Sequence, residues 1–417
     1  MNIRALVVMT FVILLTGCGG LFWSDREGWR SSQKNDFLDI LKTDKYMSIC
    51  NQRPLYNKIK SNKNSKLMTK MLVAYANNLA NSCINMKAFN SSQRAKRANK
   101  IDTYYATNQE DVKTSTIKMK LKAGQTIEEI LKPYVPKSPQ FKALRDKYRT
   151  LKSSKKHIRK KKLRKIRINI ERTKLMNQKF ASHYVLINVP EYKVRVIEEG
   201  DTKLKFAVIV GKTNMQTPIF SEKLKYVVIN PQWNVPDSIM RKSYIPKIKG
   251  NPGWVRAKGY ELHKSYDLRS AKINPASVDW SKYPKEGKGD IPYKLIQVPS
   301  RKNGLGRVKF IFPNKHAVYM HDTQKKSLFK KRRRTFSHGC IRLSKPRALL
   351  EHITANYSEE ELPTVNSWYN SVKTKYLALN KDLQVHVVYF TAYVNETGDL
   401  KFFQDIYGFD KSQKLNF

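Results

Sequence analysis

Cys340, His321, His338, Gly339 and Arg342 are the residues whose types and spacing suit chemistry, and all lie in VYMHDTQKKSLFKKRRRTFSHGCIRLS, Val318–Ser344. A thiol titrates near pH ~8.5 and is mostly protonated at neutrality, so a cysteine nucleophile requires a base or a positive environment beside it. His321 and His338 both offer a base. His321 precedes Cys340 by nineteen residues, enough chain to fold the thiol back against the imidazole. Gly339 permits a tight turn, and amides around Gly339 and Cys340 can then point at a developing oxyanion. Arg342 is placed to hold an anionic group of a substrate. Zinc fits poorly, because His338 and Cys340 are two residues apart and no CxxC or HxxxH pair stands nearby. No metal or cofactor is expected.

These residues must be carried by strands. From about residue 182 the runs HYVLINVPEYKVRVIEEGDTKLKFAVIVG, KYVVINPQWNVP, YKLIQVP, VKFIFPN and AVYMHDT show short apolar stretches punctuated by Pro and Gly. The first contains a hairpin turn at Glu199, Gly200 and Asp201. The spacing predicts a mainly antiparallel β-sandwich or barrel-like core in which His321 ends the strand AVYM. Between Pro236 and Pro292 a long Lys-, Gly-, Pro- and Tyr-rich stretch lacks periodicity, which marks a lid at about 237–292 or an inserted subdomain. After Cys340, Ser344 as N-cap and Pro346 in the first turn open a helix. The tail VHVVYFTAYVNETGDLKFFQDIYG reads as a last hairpin, turning near Glu396–Asp399 and completing the sheet.

Upstream the texture is helical. Residues 18–120 read as Lys- and Asn-rich helical pieces with no motif tied to chemistry. In the basic helical segment 121–181, Thr126 and Glu129 have capping-box spacing ahead of Ile130 and Leu131. Farther on, Leu163, Ile166 and Ile170 share one helical face among many Lys and Arg, so a solvated helix packed by one edge is expected; a surface lying on anionic lipid or glycan is the alternative. The architecture is thus α+β, a mostly helical N-terminal region preceding a β-rich domain over 182–410.

The chain has 417 residues and a formal net charge of +48. That charge suits a polyanionic partner, whether nucleic acid, an anionic membrane or a cell wall, and equally suits a compositional bias of the source. The first residues, MNIRALVVMTFVILLTGCGG, place Arg4 before an apolar run from Ala5 to Leu15 and small residues before Cys18, the pattern of a secretory signal over 1–17. The run is too short to span a bilayer. Export makes nucleic acid an unsuitable partner. In an oxidising compartment Cys50 and Cys83 are free to pair, which leaves Cys340 as the unmatched thiol.

Two resemblances sharpen this reading. Leu15-Thr16-Gly17-Cys18 is similar to the lipobox of bacterial lipoproteins, which implies lipidation of Cys18 and a membrane tether on the periplasmic side; Gly19 after the cysteine points to the outer membrane more than the inner. His321 followed by SHGCIRLS resembles the YkuD-type catalytic domain of L,D-transpeptidases, in a large lid-bearing form found in Gram-negative periplasm. That resemblance implies that Cys340 attacks the meso-diaminopimelate–D-Ala bond of a peptidoglycan tetrapeptide stem, and that His321, oriented through the backbone at Asp322, moves the protons. It further implies that His338 and the amides near Gly339 line the oxyanion site, while Ser337, Arg342, Trp233 and Asn234 meet substrate. Carbapenems acylate cysteines of this family. The segment VPSRKNGLG departs from the usual Pro-Gly pair, and no complete wall-binding repeat is present upstream. An L,D-carboxypeptidase, an enzyme attaching proteins to peptidoglycan and a non-catalytic wall-binding lipoprotein remain alternatives, and the oligomeric state is open.

Overall fold

The computed structural model describes residues 24–98, 105–106, 109–154, 160–176, 180–287 and 289–415. The signal segment and Cys18 lie outside the described residues. The chain divides into two compact units, one built from residues up to 83 and 109–136, the other from 84–108 and 137–414. The division therefore falls at 83/84, 108/109 and 136/137.

The smaller unit is helical. Its longest helix, Ser65–Asn81, buries Met68, Met71, Leu72, Tyr75, Ala76 and Leu79, the 3.6-residue spacing of a single apolar face. The Asn64 side chain caps it by accepting from the Leu67 amide at 3.0 Å. Thr126 and Glu129 form the expected capping box, opening the short helix Ile127–Leu131. Cys50 and Cys83 are joined as a disulfide with Cα atoms 5.8 Å apart.

The larger unit is built on strands β1 (His183–Asn188), β2 (Lys193–Glu198), β3 (Asp201–Gly211), β4 (Phe220–Ile229), β5 (Trp233–Asn234), β6 (Tyr260–His263) and β7 (Lys294–Gln297). They are followed by β8 (Val308–Ile311), β9 (Met320–His321), β10 (Thr335–Ser337), β11 (Ile341–Leu343), β12 (Lys375–Val388), β13 (Ala392–Val394) and β14 (Leu400–Phe402). Nine of them pair in the order β10-β3-β11-β9-β8-β4-β12-β1-β2, and β2 also pairs with β3, so the sheet closes on itself. Most pairs are antiparallel; β1–β12, β3–β10 and β9–β11 are parallel. A helical N-terminal region followed by a large β-domain is the α+β class expected. The β2–β3 turn has positive φ at both Glu199 (49°) and Gly200 (89°), the requirement of an I′-type hairpin. The helix after Cys340 runs Pro346–Tyr357.

Two elements differ from expectation. In the helix Lys160–Lys174 every residue from Ile166 to Lys174 is buried, so it is no solvated helix held by one edge. Arg172 meets Asp410 at 2.8 Å and donates to Gln413 at 2.8 Å and to Thr391 at 3.1 Å; Lys174 meets Glu171 at 3.0 Å. The charges go inside because carboxylates there receive them. The last hairpin, β13–β14, turns where predicted but forms its own two-stranded ribbon. Phe390 and Thr391 donate their amides to the side chains of Asn188 and Asn169, both at 2.9 Å, and these bonds turn the chain off the ladder after β12.

The stretch between β5 and β7 is an inserted subdomain. It contributes β6 to the three-stranded sheet β5-β7-β6 and has a core of its own, with Val235, Met240, Ile248, Ile291 and Leu295 fully buried.

Candidate active site

Cys340 sits between β10 and β11, where the chain reverses through Gly339 at φ +119°, a conformation that favours glycine. The turn is clamped from several sides. The Ser337 hydroxyl donates to the Cys340 carbonyl at 2.5 Å and accepts from the Gly339 amide at 3.2 Å, while the Thr217 hydroxyl donates to the Gly339 carbonyl at 2.8 Å. Ser337 is buried, and its hydroxyl is engaged in holding the turn. The Gly339 amide is therefore engaged, whereas the Cys340 amide has no hydrogen-bond partner among the described residues.

His321 reaches this turn through strand pairing. β9 runs parallel to β11 with His321 opposite Arg342, and antiparallel to β8 with His321 opposite Lys309. The imidazole is buried, with 5% of the residue exposed, and its Nδ1 lacks a hydrogen bond of ordinary geometry. Among the described residues no hydrogen bond joins it to Cys340; the thiol donates to the Ala317 carbonyl at 3.8 Å and lies against the Tyr319 backbone and hydroxyl.

The support for His321 comes from the Asn303-Gly304-Leu305-Gly306 loop. The Asn303 side chain, wholly buried, donates to the carbonyls of Gln297 and Val298, both at 3.1 Å, and accepts from the Leu305 amide at 2.9 Å. Backbone groups of Leu305 and Asp322 thereby lie against the imidazole. The Asp322 carboxylate accepts from the amides of Arg307 (2.9 Å) and Thr323 (2.6 Å) and pairs with Lys326, so it fixes the backbone and is not itself the histidine's partner.

Electrostatics set the resting protonation. Burial, with the Arg342 charge beside it, pulls the His321 pKa down to about 3 against a small upward push from the Asp322 and Leu305 backbone. Burial pushes the Cys340 thiol up; the Tyr319 backbone, Lys309, the Tyr319 hydroxyl and Arg342 oppose it. At neutral pH the pair is thus a thiol beside a neutral imidazole. His338 is exposed; partial desolvation, then Lys212, Arg342 and Lys242, hold its pKa down. Trp233 is half-buried under the insert, its ring 6.0 Å from that of Tyr244, and Asn234 is exposed at the same edge, accepting from Gln232 at 2.8 Å.

Two residues of the site went unnoticed in the sequence. Lys309 extends its Nζ over the Tyr319 ring at 4.1 Å, and that ring packs edge-on to His321 with centroids 5.6 Å apart. A signal was present: strand alternation puts Tyr319 and His321 on one face.

Residues 182–374 match the family model of the YkuD L,D-transpeptidase catalytic domain, and this segment contains Cys340, His321 and the loop that supports them. Among curated proteins the chain is similar to a putative L,D-transpeptidase of Haemophilus influenzae, with 32% identity over 233 residues. The match covers 55% of this chain and 45% of that protein, so the chain spans about half the length of the curated relative it matches. Among solved structures it is similar to an L,D-transpeptidase from Mycobacterium smegmatis (12% identity, 50% of this chain and 58% of that one, TM-score 0.22). A second is a mutant of the Enterococcus faecium L,D-transpeptidase (10% identity, 70% and 99% covered, TM-score 0.20).

Proposed function

We propose that this chain is a periplasmic L,D-transpeptidase that joins peptidoglycan stems by 3-3 cross-links through a cysteine thioester. The observation that carries the reading is the parallel β9–β11 pairing, which sets His321 on the strand beside Cys340. Cys340 Sγ attacks the carbonyl of the L centre of meso-diaminopimelate in a tetrapeptide donor. The thiol proton passes to His321, and from it to the nitrogen of the departing D-Ala, leaving a thioester. The amine of a second stem attacks that thioester and loses its proton to His321; as the new amide forms, the proton returns to the thiolate. The unengaged Cys340 amide supports assigning the oxyanion to that end of the turn. The insert acts as a lid that limits water and so favours aminolysis. A disulfide between Cys50 and Cys83 fits an oxidising compartment, and the lipobox supports anchoring through Cys18, with the outer membrane the preferred site.

Incubation with tetrapeptide-bearing muropeptides, read by mass spectrometry, tests this. Loss of D-Ala with a new dimer is the expected outcome. Tripeptide monomer alone would make the protein a carboxypeptidase, and unchanged substrate would favour a wall-binding role.

The resting protonation state has a kinetic signature. A raised thiol pKa leaves the reactive thiolate as a minor form that grows about tenfold per pH unit. Alkylation of Cys340 by iodoacetamide should therefore climb steadily from pH 6 to pH 8. A rate that is flat over that range would indicate a preformed thiolate–imidazolium pair and contradict the neutral resting state.

A further inference from the structure

Three of the most deeply buried cations elsewhere in this unit are matched by acids. Arg172 is fully buried and meets Asp410 at 2.8 Å; Arg195, 1% exposed, holds Glu191 through two bonds of 2.7 Å; Lys174, fully buried, meets Glu171 at 3.0 Å. An uncompensated charge withdrawn from water is strongly unfavourable, so this matching is what folding alone requires.

The cleft around Cys340 departs from that pattern. Lys309 and Arg342 are both half-buried, and desolvation lowers the pKa of each. Neither has a carboxylate partner among the described residues, and Arg342 Nε is buried without a hydrogen bond. Two exposed lysines stand at the rim. Lys212 follows β3 and donates its amide to the Ser337 carbonyl at 3.0 Å; Lys242 lies in the insert's Met240–Tyr244 turn. Both are close enough to act on His338, and neither has an ion-pair partner among the described residues. The net charge of +48 leaves many lysines unpaired in solvent, but composition does not explain two desolvated cations beside a nucleophile. The nearby acid, Asp322, is committed to the backbone of Arg307 and Thr323 and to Lys326. Four cations thus converge from β8, β11, the end of β3 and the insert, with no carboxylate partner among the described residues to balance them.

We propose that the missing negative charge is supplied by the donor stem, and that Lys212 and Lys242 make the site select stems with free carboxylates over stems whose carboxylates are carboxamides. The inference rests on the transpeptidase reading. A tetrapeptide donor carries carboxylates on its D-glutamate, on the D centre of meso-diaminopimelate and on the terminal D-Ala. Amidation of the first two keeps shape and hydrogen-bonding capacity while removing charge. A site built from neutral donors tolerates that change; one built from unpaired cations does not.

The test compares kcat/KM for D-Ala release from a synthetic tetrapeptide stem and from the same stem with glutamate and D-centre diaminopimelate carboxylates converted to carboxamides. The free-carboxylate stem is favoured by roughly ten- to a hundredfold at low salt, because charged hydrogen bonds are lost on amidation. The ratio shrinks as salt is raised to about 0.5 M, because the rim charges are exposed to screening. The double substitution Lys212→Gln, Lys242→Gln brings the ratio close to one, whereas Lys212→Arg with Lys242→Arg preserves it; unfolding temperatures of both variants verify the fold. Equal rates on the two stems in the unmodified protein overturn the inference while leaving the transpeptidase reading intact. A preference that survives the double glutamine substitution overturns the assignment to Lys212 and Lys242. Release of D-Ala from neither stem removes the transpeptidase reading, and this inference with it.

Discussion

Cys340→Ala should lower D-Ala release from tetrapeptide stems by roughly four to six orders of magnitude while leaving the protein folded. The size follows from the role: without the sulfur no thioester forms, and the remaining machinery can only polarise a carbonyl. The fold should tolerate the change because Cys340 is half-buried at a turn held by Ser337 and Thr217, and its sulfur makes only weak contacts, to the Ala317 carbonyl at 3.8 Å and to the Tyr319 backbone and hydroxyl. Removing one such atom costs about 1 kcal/mol or less, a shift of a few degrees in thermal unfolding. Muropeptide turnover and circular dichroism on one preparation check both halves. Turnover within tenfold of the unmodified protein would show that Cys340 is not the nucleophile.

Gly306→Ala should also damage activity, by roughly a hundredfold, although Gly306 touches no substrate. Its φ is +69°, and a Cβ there would stand 2.2 Å from the Asp322 carboxylate oxygen. Asp322 is buried and bonded to two amides, so it has nowhere to go, and the Asn303–Gly306 loop must move instead. That movement takes the Leu305 backbone away from His321. A displacement of about 1 Å at a catalytic group costs on the order of a hundredfold in rate, and the clash and strain together about 2–4 kcal/mol of stability. Gly200→Ala is the control: its φ is +89° but nothing lies within 4 Å, so it bears only the backbone strain of about 1–2 kcal/mol. If Gly306→Ala turned over substrate as fast as the control, the loop would not be what positions His321.

Much of this arrangement is legible in the residues themselves. The pairing of Glu199 with Gly200 sets a hairpin by backbone conformation alone, and Thr126 with Glu129 sets a helix start by local hydrogen bonds. Such features depend on neighbours in the chain and survive a one-dimensional reading. The buried stretch Ile166–Lys174 does not, because an apolar pattern cannot reveal that Asp410, Gln413 and Thr391 wait to receive Arg172. The separate β13–β14 ribbon is illegible for the same reason: distant side chains of Asn188 and Asn169 intercept the chain. At the site, Cys340 and His321 announce themselves by type, whereas Ser337 turns inward because the turn needs its hydroxyl. Lys309 looks like any other lysine until the β8–β9 register places it opposite His321.

The insert between β5 and β7 has a dry centre of its own, around Val235, Met240, Ile248 and Leu295, and a three-stranded sheet to stiffen it. Ordering a flexible flap forfeits about 1–2 kcal/mol of backbone entropy for every residue that freezes, a loss that recurs with each catalytic cycle. The insert, already ordered around its own core, incurs that loss once, when the chain folds. On the cross-linking role proposed above, a prebuilt cover of this kind would leave more of the stem's binding free energy available to hold two large, slowly diffusing strands of wall in register while the bond between them is made.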